Sequence, residues 1–401
     1  MLYNSSVDLY FVDSVLIFLL SEVANLFFCG IILLLLFYFK TLNLTEVLFW
    51  FGGFASIIIM APFIQDLFPD SGGYLRCVRD LKDNLSFDEI GCQASIAAES
   101  ESFQFLNFKR SVPAIYYSII PIPSIATIMS LAFINKIYLL FLYIFLRNRI
   151  ENNEMKFYLL ILFFFPTILL YSTTGLREIF ILIVQSFLLI TIIERKWLFS
   201  TVLIFLLASV KTQNAAVFLI LFSGVLIFRS DKSFGHLLIF SILFCVTVFT
   251  YEKDILDVIN YFRIGFLKEN YMIPLSGIVI EYESIFSLMI NSPVLFLQGI
   301  FSPGFGMSGL NLIFFPESIL YVALFIWGAK RSNYFSESLN WLVFITGLVG
   351  IVLNLIVVDN DSTYLRYRFT FTYLLMFHLL LFMGKKEVKQ PSEVGKTLYQ
   401  L

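Results

Sequence analysis

The longest apolar runs limit what this sequence can fold into more than any other feature. Runs over 14–39, 44–64 and 338–358 each reach the roughly 20 residues that a helix needs to cross a hydrocarbon core of about 30 Å. Backbone groups in lipid must be hydrogen-bonded within their own segment, so such runs can cross only as helices. The sequence therefore predicts an all-α, polytopic integral membrane protein.

The composition agrees with this class. Of the 401 residues, 59% are hydrophobic and 14% are charged, whereas soluble proteins carry roughly 25% charged residues. There is too little polar surface for water on every side. An outer-membrane barrel is excluded because its strands would be about ten residues long, with alternating apolar and polar positions.

The basic residues of the short connections assign the two sides of the membrane. They fall on alternate connections, and the positive-inside rule places those connections in the cytoplasm. These residues are Lys40, Arg147, Arg149, Lys156, Arg195, Lys196, Arg229, Lys232, Lys330, Arg331, Lys385, Lys386, Lys389 and Lys396. The pattern predicts about eleven spans in a bacterial cytoplasmic (inner) membrane, with the N-terminus outside and the C-terminus in the cytoplasm.

These spans are expected to form a single transmembrane domain over 1–384, followed by a cytoplasmic tail over 385–401. Two long extracytoplasmic segments are predicted, over 65–111 and 251–301. The second contains a re-entrant or interfacial helix, because crossing there would upset the alternation of sides.

Two of the four cysteines, Cys77 and Cys92, lie in the first extracytoplasmic segment. They could form a disulfide in an oxidising compartment, closing a loop of about 15 residues. Two free thiols are the alternative.

A short hairpin places polar residues at membrane depth. Its arms are 197–210 and 215–228, and a helix of about 14 residues reaches only ~21 Å. This is less than the thickness of the hydrocarbon core. The apex with Lys211, Gln213 and Asn214 should therefore lie below the outer surface, inside protein or in a water-filled cavity.

The preceding hairpin has the same property. Its first arm, 157–171, holds about 15 residues and is again too short to reach the far surface. Gly175 allows a tight turn, after which Arg177 and Glu178 begin the returning helix. Exposed N–H groups at the start of that helix offer a site for an anion.

Three further arginines are predicted on the extracytoplasmic side, as are the two hairpin apices. Arg366 and Arg368 open the last span, and Arg263 lies in the second extracytoplasmic segment. Residues two apart do not share a helix face, so at most one arginine of the last span points into a given cavity. With Arg177 and Lys211 they predict a cavity for a phosphate-bearing lipid, because arginine makes bidentate contacts with phosphate oxygens. Extension of these side chains to lipid headgroups is the alternative.

The arrangement resembles the Wzy-type O-antigen and exopolysaccharide polymerases, including the EpsG-like branch. The resemblance rests on Gly-Leu-Arg-Glu at 175–178, where that family often has Gly-x-Arg-Gln, and on Asp-Ser-Gly-Gly-Tyr at 70–74. It also rests on the polar apex at 211–214 and on the arginines before the last span. In two departures, Glu178 replaces the glutamine, and the histidine that the family often has near the later apex is absent.

The resemblance implies a layout like that of the GT-C-type polymerases and ligases, with chemistry at the outer face of the membrane. The growing glycan would leave its polyprenyl (undecaprenyl) pyrophosphate and join a sugar hydroxyl of an incoming lipid-linked unit. The product would be a lipopolysaccharide O-antigen, a capsule or an exopolysaccharide. No cofactor, metal or nucleotide sugar is implied. The expected partners are the lipid-linked oligosaccharide, membrane lipid, a chain-length regulator and a flippase, and no nucleic acid.

Roles for individual residues follow from this reaction. The cations would stabilise the charge that develops on the pyrophosphate leaving group. Glu178 would be the base or, as we prefer, the ion-pair partner of Arg177, and the other candidates for the base are Asp66, Asp70, Glu281 and Glu283. The expected catalytic residues are Arg177, Lys211, Arg366 and Glu178, and the expected substrate-binding residues are Arg368, Gln213, Asn214, Asp70, Tyr74 and Arg263.

Two other functions fit parts of the pattern. An O-antigen ligase has a similar layout, but the outer segments contain no histidine. A flippase for the lipid-linked oligosaccharide is the alternative from another class. Transporters commonly show internal repeats, and this sequence shows none. A structural or sensor role leaves the buried cations unexplained.

Cysteines introduced at Thr363 and at Ser230 test the topology. The basic residues place these two positions on opposite sides of the membrane. A membrane-impermeant thiol reagent added from outside should therefore label the cysteine at 363 and spare the one at 230, with the parent chain as the background control. Labelling of both from one side would contradict the orientation.

Overall fold

The computed structural model describes residues 15–64, 70–84, 111–125, 127–227, 249–270, 281–291, 293, 311–357 and 361–385. Within these ranges every regular element is a helix. The all-α class is therefore confirmed for the part of the chain that the structure describes.

The helices follow one another with short connections wherever both neighbours are described. They are α1 Val15–Tyr38, α2 Leu44–Ile64, α3 Asp70–Asn84, α4 Ser111–Ile119, α5 Ile128–Arg147, α6 Asn153–Leu162, α7 Pro166–Thr173, α8 Glu178–Ile193, α9 Trp197–Val210, α10 Thr212–Ile227, α11 Glu252–Asn270, α12 Asn311–Arg331, α13 Ser338–Val357 and α14 Asp361–Gly384. A single 3₁₀ turn, Tyr334–Ser336, connects α12 to α13.

Three of the described helices are long and apolar enough to cross a membrane, namely Leu20–Tyr38, Ile128–Arg147 and Leu365–Gly384. A fourth span arises if α6 and α7 are counted together. Helices α9 and α10 are apolar but shorter. These helices support association with a membrane without establishing the predicted eleven spans. The span predicted between 232 and 251 lies mostly outside the described residues, as does much of the helix predicted within 284–301.

The arm predicted as one helix over 157–171 is broken, and that prediction was wrong. Helix α6 ends at Leu162, and α7 starts at Pro166 with its axis bent by 53°. The cause is local, because Pro166 has no N–H to donate to the preceding turn and its ring disfavours helical geometry at the residue before it. Phe165 accordingly has an extended backbone, with φ −66° and ψ 148°.

Both long segments that were predicted to be extracytoplasmic contain a helix where a loop was predicted. Helix α3 turns an apolar stripe, which includes Tyr74, Leu75 and Val78, toward α4. The residues of this stripe are one, three and four positions apart, the spacing of the apolar face of an amphipathic helix. Cys77 on α3 is disulfide-bonded. Its partner lies outside the described residues, so pairing with Cys92 stays a prediction.

Helix α14 is the centre of the bundle and packs against α6, α8, α12 and α13. Aromatic rings fill the space around it, with Phe377 stacked on Phe163 at 5.2 Å between centroids. The approach of α13 is close, since a Cβ at Gly347 would lie 2.6 Å from the Leu375 side chain. Small residues at such crossings are how helices pack closely in a membrane.

A buried carboxylate joins three of these helices. Glu317 on α12 is 5% exposed and accepts hydrogen bonds from the Thr167 backbone N–H at 3.0 Å and the Thr167 hydroxyl at 2.7 Å. It also accepts from the hydroxyls of Tyr321 at 2.6 Å and Tyr373 at 3.2 Å. Thr167 lies in the first turn of α7, where a negative charge is favourable. Glu317 therefore fixes the start of α7 after the break and ties it to α12 and α14.

Replacing Glu317 by alanine should destabilise the bundle. The change leaves an N–H and three hydroxyls buried without their acceptor, and each unsatisfied group costs roughly 1–3 kcal/mol before relaxation. We expect the free energy of unfolding to fall by about 2–4 kcal/mol, seen as a lower melting temperature in detergent. Glu154→Ala, at an exposed ion pair with Arg331, is the matched control and should change little. Equal melting temperatures for the two variants would contradict the role of Glu317.

Candidate anion-binding site

Three helices present their N-terminal halves to one place in the bundle. Helix α8 begins at Glu178, α10 begins at Thr212, and Arg366 lies in the second turn of α14. Helix N-termini carry a positive partial charge, which favours an anion. The hairpin between α9 and α10 is tighter than predicted, since only Lys211 lies outside the helices and Gln213 and Asn214 belong to the first turn of α10.

The turn that leads into α8 is held from two sides. Gly175 has φ +64°, a conformation that glycine adopts without strain. Its carbonyl accepts a hydrogen bond from the Tyr117 hydroxyl at 2.9 Å, and the Leu176 carbonyl accepts one from the Asn135 amide at 3.1 Å. Tyr117 is on α4 and Asn135 is on α5, so these helices set the position of the residues that follow the turn.

A wholly buried carboxylate lies at the centre of the site. Arg366 Nε donates to Glu178 Oε1 at 2.6 Å, and Arg177 Nε lies 4.0 Å from the same oxygen. Glu178 is 0% exposed. The closer ion-pair partner of Glu178 is therefore Arg366, whereas the sequence had suggested Arg177.

Lys211 completes the cluster from the α9–α10 hairpin. Its ammonium nitrogen lies 3.2 Å from the centroid of the Tyr367 ring, a cation–π contact. The side chain is 4% exposed, and Nζ has no hydrogen-bond acceptor among the described residues. Glu178, Arg177 and Arg366 are all near enough to act electrostatically on this charge.

The four residues that were expected to be catalytic thus meet in one cluster, called here the cationic cluster: Arg177, Glu178, Lys211 and Arg366. Their side chains are buried between helices. Extension to lipid headgroups requires the charged ends to reach the surface, and in this structure they do not.

Arg368 belongs to a neighbouring polar group. Its Nη2 donates to the Ser318 hydroxyl at 2.7 Å on α12. Arg366 and Arg368 therefore point to different helices, as their spacing of two residues predicts. Tyr171 lies near both groups, since the charges of Arg366, Glu178, Arg368 and Glu317 all act on it.

The remaining predicted residues have varied surroundings. Arg263 is fully buried and donates to the Ile356 carbonyl at 2.8 Å, so it holds the end of α13. Tyr74 on α3 is buried close enough to Arg177 to act on its charge. Gln213 is half-buried. Asp70 begins α3, but its side chain and all of Asp66 lie outside the described part of the chain.

The sequence did not single out three residues of this region. Tyr367 forms the ring face under Lys211, Glu317 precedes the Ser318 that accepts from Arg368, and Gln185 is a fully buried amide on α8. A signal existed for Glu317 and Gln185, because polar side chains within long apolar runs are costly unless they serve a purpose. Nothing in the sequence marks Tyr367, since tyrosine is common in this chain.

An open depression of about 860 Å³ lies far from the cationic cluster, along the second half of α1 and the connection to α2. Lys40 and Arg147 line it together with apolar side chains. Arg147 ends α5, whereas Asn135, which holds the turn before Glu178, is twelve residues closer to its start. At about 1.5 Å per residue this is a separation of ~18 Å along the helix.

No protein-family model, curated protein or solved structure matches this chain.

Gly175→Ala should lower stability by about 1–3 kcal/mol. An added Cβ would meet the Leu131 side chain at 3.0 Å and the Ile128 carbonyl at 3.1 Å, and φ would still have to be positive. Gly30→Ala is the matched control, because Gly30 lies in α1 and, beyond the backbone of its own helix, no atom of the described residues is within 4 Å of an added Cβ. That variant should be neutral or slightly more stable, as alanine favours helix. Thermal unfolding of the two purified variants checks this, and an unchanged Gly175→Ala protein would contradict the description of the turn.

Proposed function

We propose that this chain is a polymerase of polyprenyl-pyrophosphate-linked oligosaccharide repeat units, of the Wzy type. It would act at the outer face of a bacterial cytoplasmic membrane, with about eleven spans, the N-terminus outside and the C-terminus in the cytoplasm. The growing glycan is transferred from its pyrophosphate lipid to a sugar hydroxyl of the incoming unit. The product is an O-antigen, a capsule or an exopolysaccharide.

The observation that carries this proposal is the ammonium of Lys211. It is buried beside two arginines and has no hydrogen-bond acceptor among the described residues. A buried charge without an acceptor costs several kcal/mol, and the Tyr367 ring offsets only part of that cost. An anion that binds against this ammonium would offset the remaining cost of burying it. The site therefore favours a ligand of high negative charge.

Pyrophosphate meets this requirement as a leaving group. Negative charge develops on it as the bond to the sugar breaks, and fixed cations in a dry site stabilise that charge without reorganisation. Lys211 and Arg366 supply the charge, and Arg177 adds a planar group with several donors. The N-termini of α8 and α10 add to the same field.

Glu178 is assigned a positioning role. Its Oε1 receives Arg366 at 2.6 Å and lies 4.0 Å from Arg177. The carboxylate therefore orients both guanidinium groups toward one region and limits their mutual repulsion. The base that takes the proton of the attacking hydroxyl is left unassigned.

One observation favours a second function. The break between α6 and α7, with its bend of 53°, is a feature that transporters share, since broken spans commonly line their substrate sites. A flippase for the same lipid-linked oligosaccharide would use the same anion-binding cluster. An O-antigen ligase would differ only in the acceptor.

Arg177→Ala and Lys211→Ala separate these functions in cells that depend on this chain for surface polysaccharide. Loss of one electrostatic stabiliser should slow transfer by about 10²–10³. We expect both proteins in the membrane, loss of long-chain polysaccharide, and surface glycan with a single repeat. Lys330→Ala, at an exposed position near the end of α12, is the control and should keep the normal ladder.

Two other outcomes carry different meanings. Unaltered chain-length ladders in Arg177→Ala and Lys211→Ala would refute the polymerase. Accumulation of lipid-linked units on the cytoplasmic side would indicate the flippase.

A further inference from the structure

Two buried amides on the helices of the cationic cluster have no hydrogen-bond partner among the residues that the structure describes. Gln185 on α8 and Asn214 on α10 are both 0% exposed. Neither the nitrogen nor the oxygen of either side-chain amide makes a hydrogen bond within the described part of the chain. A buried polar group without a partner is costly, so these four atoms call for an explanation.

Both amides are placed to approach the cationic cluster. Gln185 follows Glu178 by seven residues, which puts the two on the same face of α8, two turns apart. Asn214 follows Lys211 by three residues and lies in the first turn of α10. Helical side chains lean toward the N-terminus of their helix, and the N-termini of α8 and α10 are at the cluster. The two helices also pack against each other.

Three other buried amides of the bundle make bonds across the fold, and a fourth, Asn354, donates to the Gly350 carbonyl within α13 and has no partner for its Oδ1 among the described residues. Asn25 bonds to Glu22 and to the backbone of Ser124, and Asn135 donates to the Leu176 carbonyl. Asn340 donates to the Tyr334 carbonyl at 2.8 Å. The bonds of Asn25 to Ser124, of Asn135 to Leu176 and of Asn340 to Tyr334 each join two segments of the fold, and the bond to Glu22 lies within α1. Gln185 and Asn214 join none, so a role in holding the described helices together does not account for them.

The chemistry of an amide defines what these two would bind. Each offers a donor and an acceptor and carries no charge. A hydroxyl group is likewise a donor and an acceptor, so a ring with several hydroxyls satisfies both ends of both amides. A phosphate, which only accepts, would leave the amide oxygens unpaired.

We infer that Gln185 and Asn214 form a subsite for the sugar that is attached to the phosphate, next to the cationic cluster. This inference rests on the proposed function, because the phosphate at Lys211 is what brings a sugar to the amides. The cluster then recognises charge and the subsite recognises hydroxyl groups. A site built to hydrogen-bond a hydroxyl discriminates strongly against ligands that lack it.

The test compares two kinds of probe that differ by the sugar: inorganic phosphate, and the 1-phosphates of glucose and of galactose. Their dissociation constants are measured by calorimetry on the purified full chain in detergent. The wild-type protein should bind at least one hexose 1-phosphate about tenfold more tightly than phosphate. Gln185→Leu and Asn214→Leu should each remove most of that difference and leave the affinity for phosphate unchanged. Lys211→Met should weaken both probes.

Controls separate binding from folding. The two leucine variants should keep the wild-type melting temperature, because no described hydrogen bond of these amides is lost. If either fails to fold, Gln185→Met or Asn214→Ser replaces it in the same comparison. Asn340→Leu is the control for a bonded amide, and it should lower the melting temperature without changing either affinity.

The outcomes distinguish the two proposals. Phosphate binding that depends on Lys211, with no added affinity for either hexose 1-phosphate, would overturn the sugar subsite alone and leave internal water as the partner of the amides. Equal effects of the leucine variants on both probes would overturn it too. No binding of either probe, or binding indifferent to Lys211→Met, would overturn the proposed function together with the subsite.

Discussion

The carboxylate of Glu178 is the group on which the rest of the site depends. It lies at the start of α8, receives Arg366 from α14 at 2.6 Å, lies 4.0 Å from Arg177 and acts on the charge of Lys211 from the α9–α10 hairpin. Three cations placed this close inside a bundle repel one another, and a buried charge is tolerated only with a partner. One shared acid lets them stay together without neutralising all of them. Under the proposed function, the positive charge that remains is what attracts the anionic ligand.

Buried acids organise the bundle elsewhere in the same manner. Glu317 caps α7 after the break at Pro166 and ties it to α12 and α14. Glu46 at the start of α2 accepts from the Tyr143 hydroxyl at 2.5 Å and pairs with Arg147 at the end of α5. In lipid the apolar side chains gain little by leaving their surroundings, so polar contacts and close packing decide which helices meet. The cationic cluster differs in that Lys211 has no hydrogen-bond acceptor among the described residues, whereas Thr167 and Tyr143 each have one.

Much of the fold and of the candidate site could be predicted from the sequence. What could not be predicted was missed for physical reasons that can be named. Apolar runs gave α2 and α9 with the bounds 44–64 and 197–210, and the cost of polar groups at membrane depth pointed to Arg177, Glu178 and Lys211. The partners were out of reach, because Glu178 and its closest cation are separated by 188 positions and periodicity says nothing about contacts at that range. The break at Pro166 was readable and was missed by treating the apolar run as one arm. Helices α3 and α11 were missed because their polar composition resembles that of loops.

The most direct test of the central claim is the melting temperature of Lys211→Met with and without inorganic pyrophosphate, compared with the wild-type protein in the same detergent. If the ammonium is retained to bind an anion, an apolar side chain of similar length should leave the ligand-free protein as stable or make it more stable. Pyrophosphate should then raise the melting temperature of the wild type and leave that of Lys211→Met unchanged. A large loss of stability in Lys211→Met, with a wild-type protein that does not respond to pyrophosphate, would show that Lys211 serves the fold and would contradict the account.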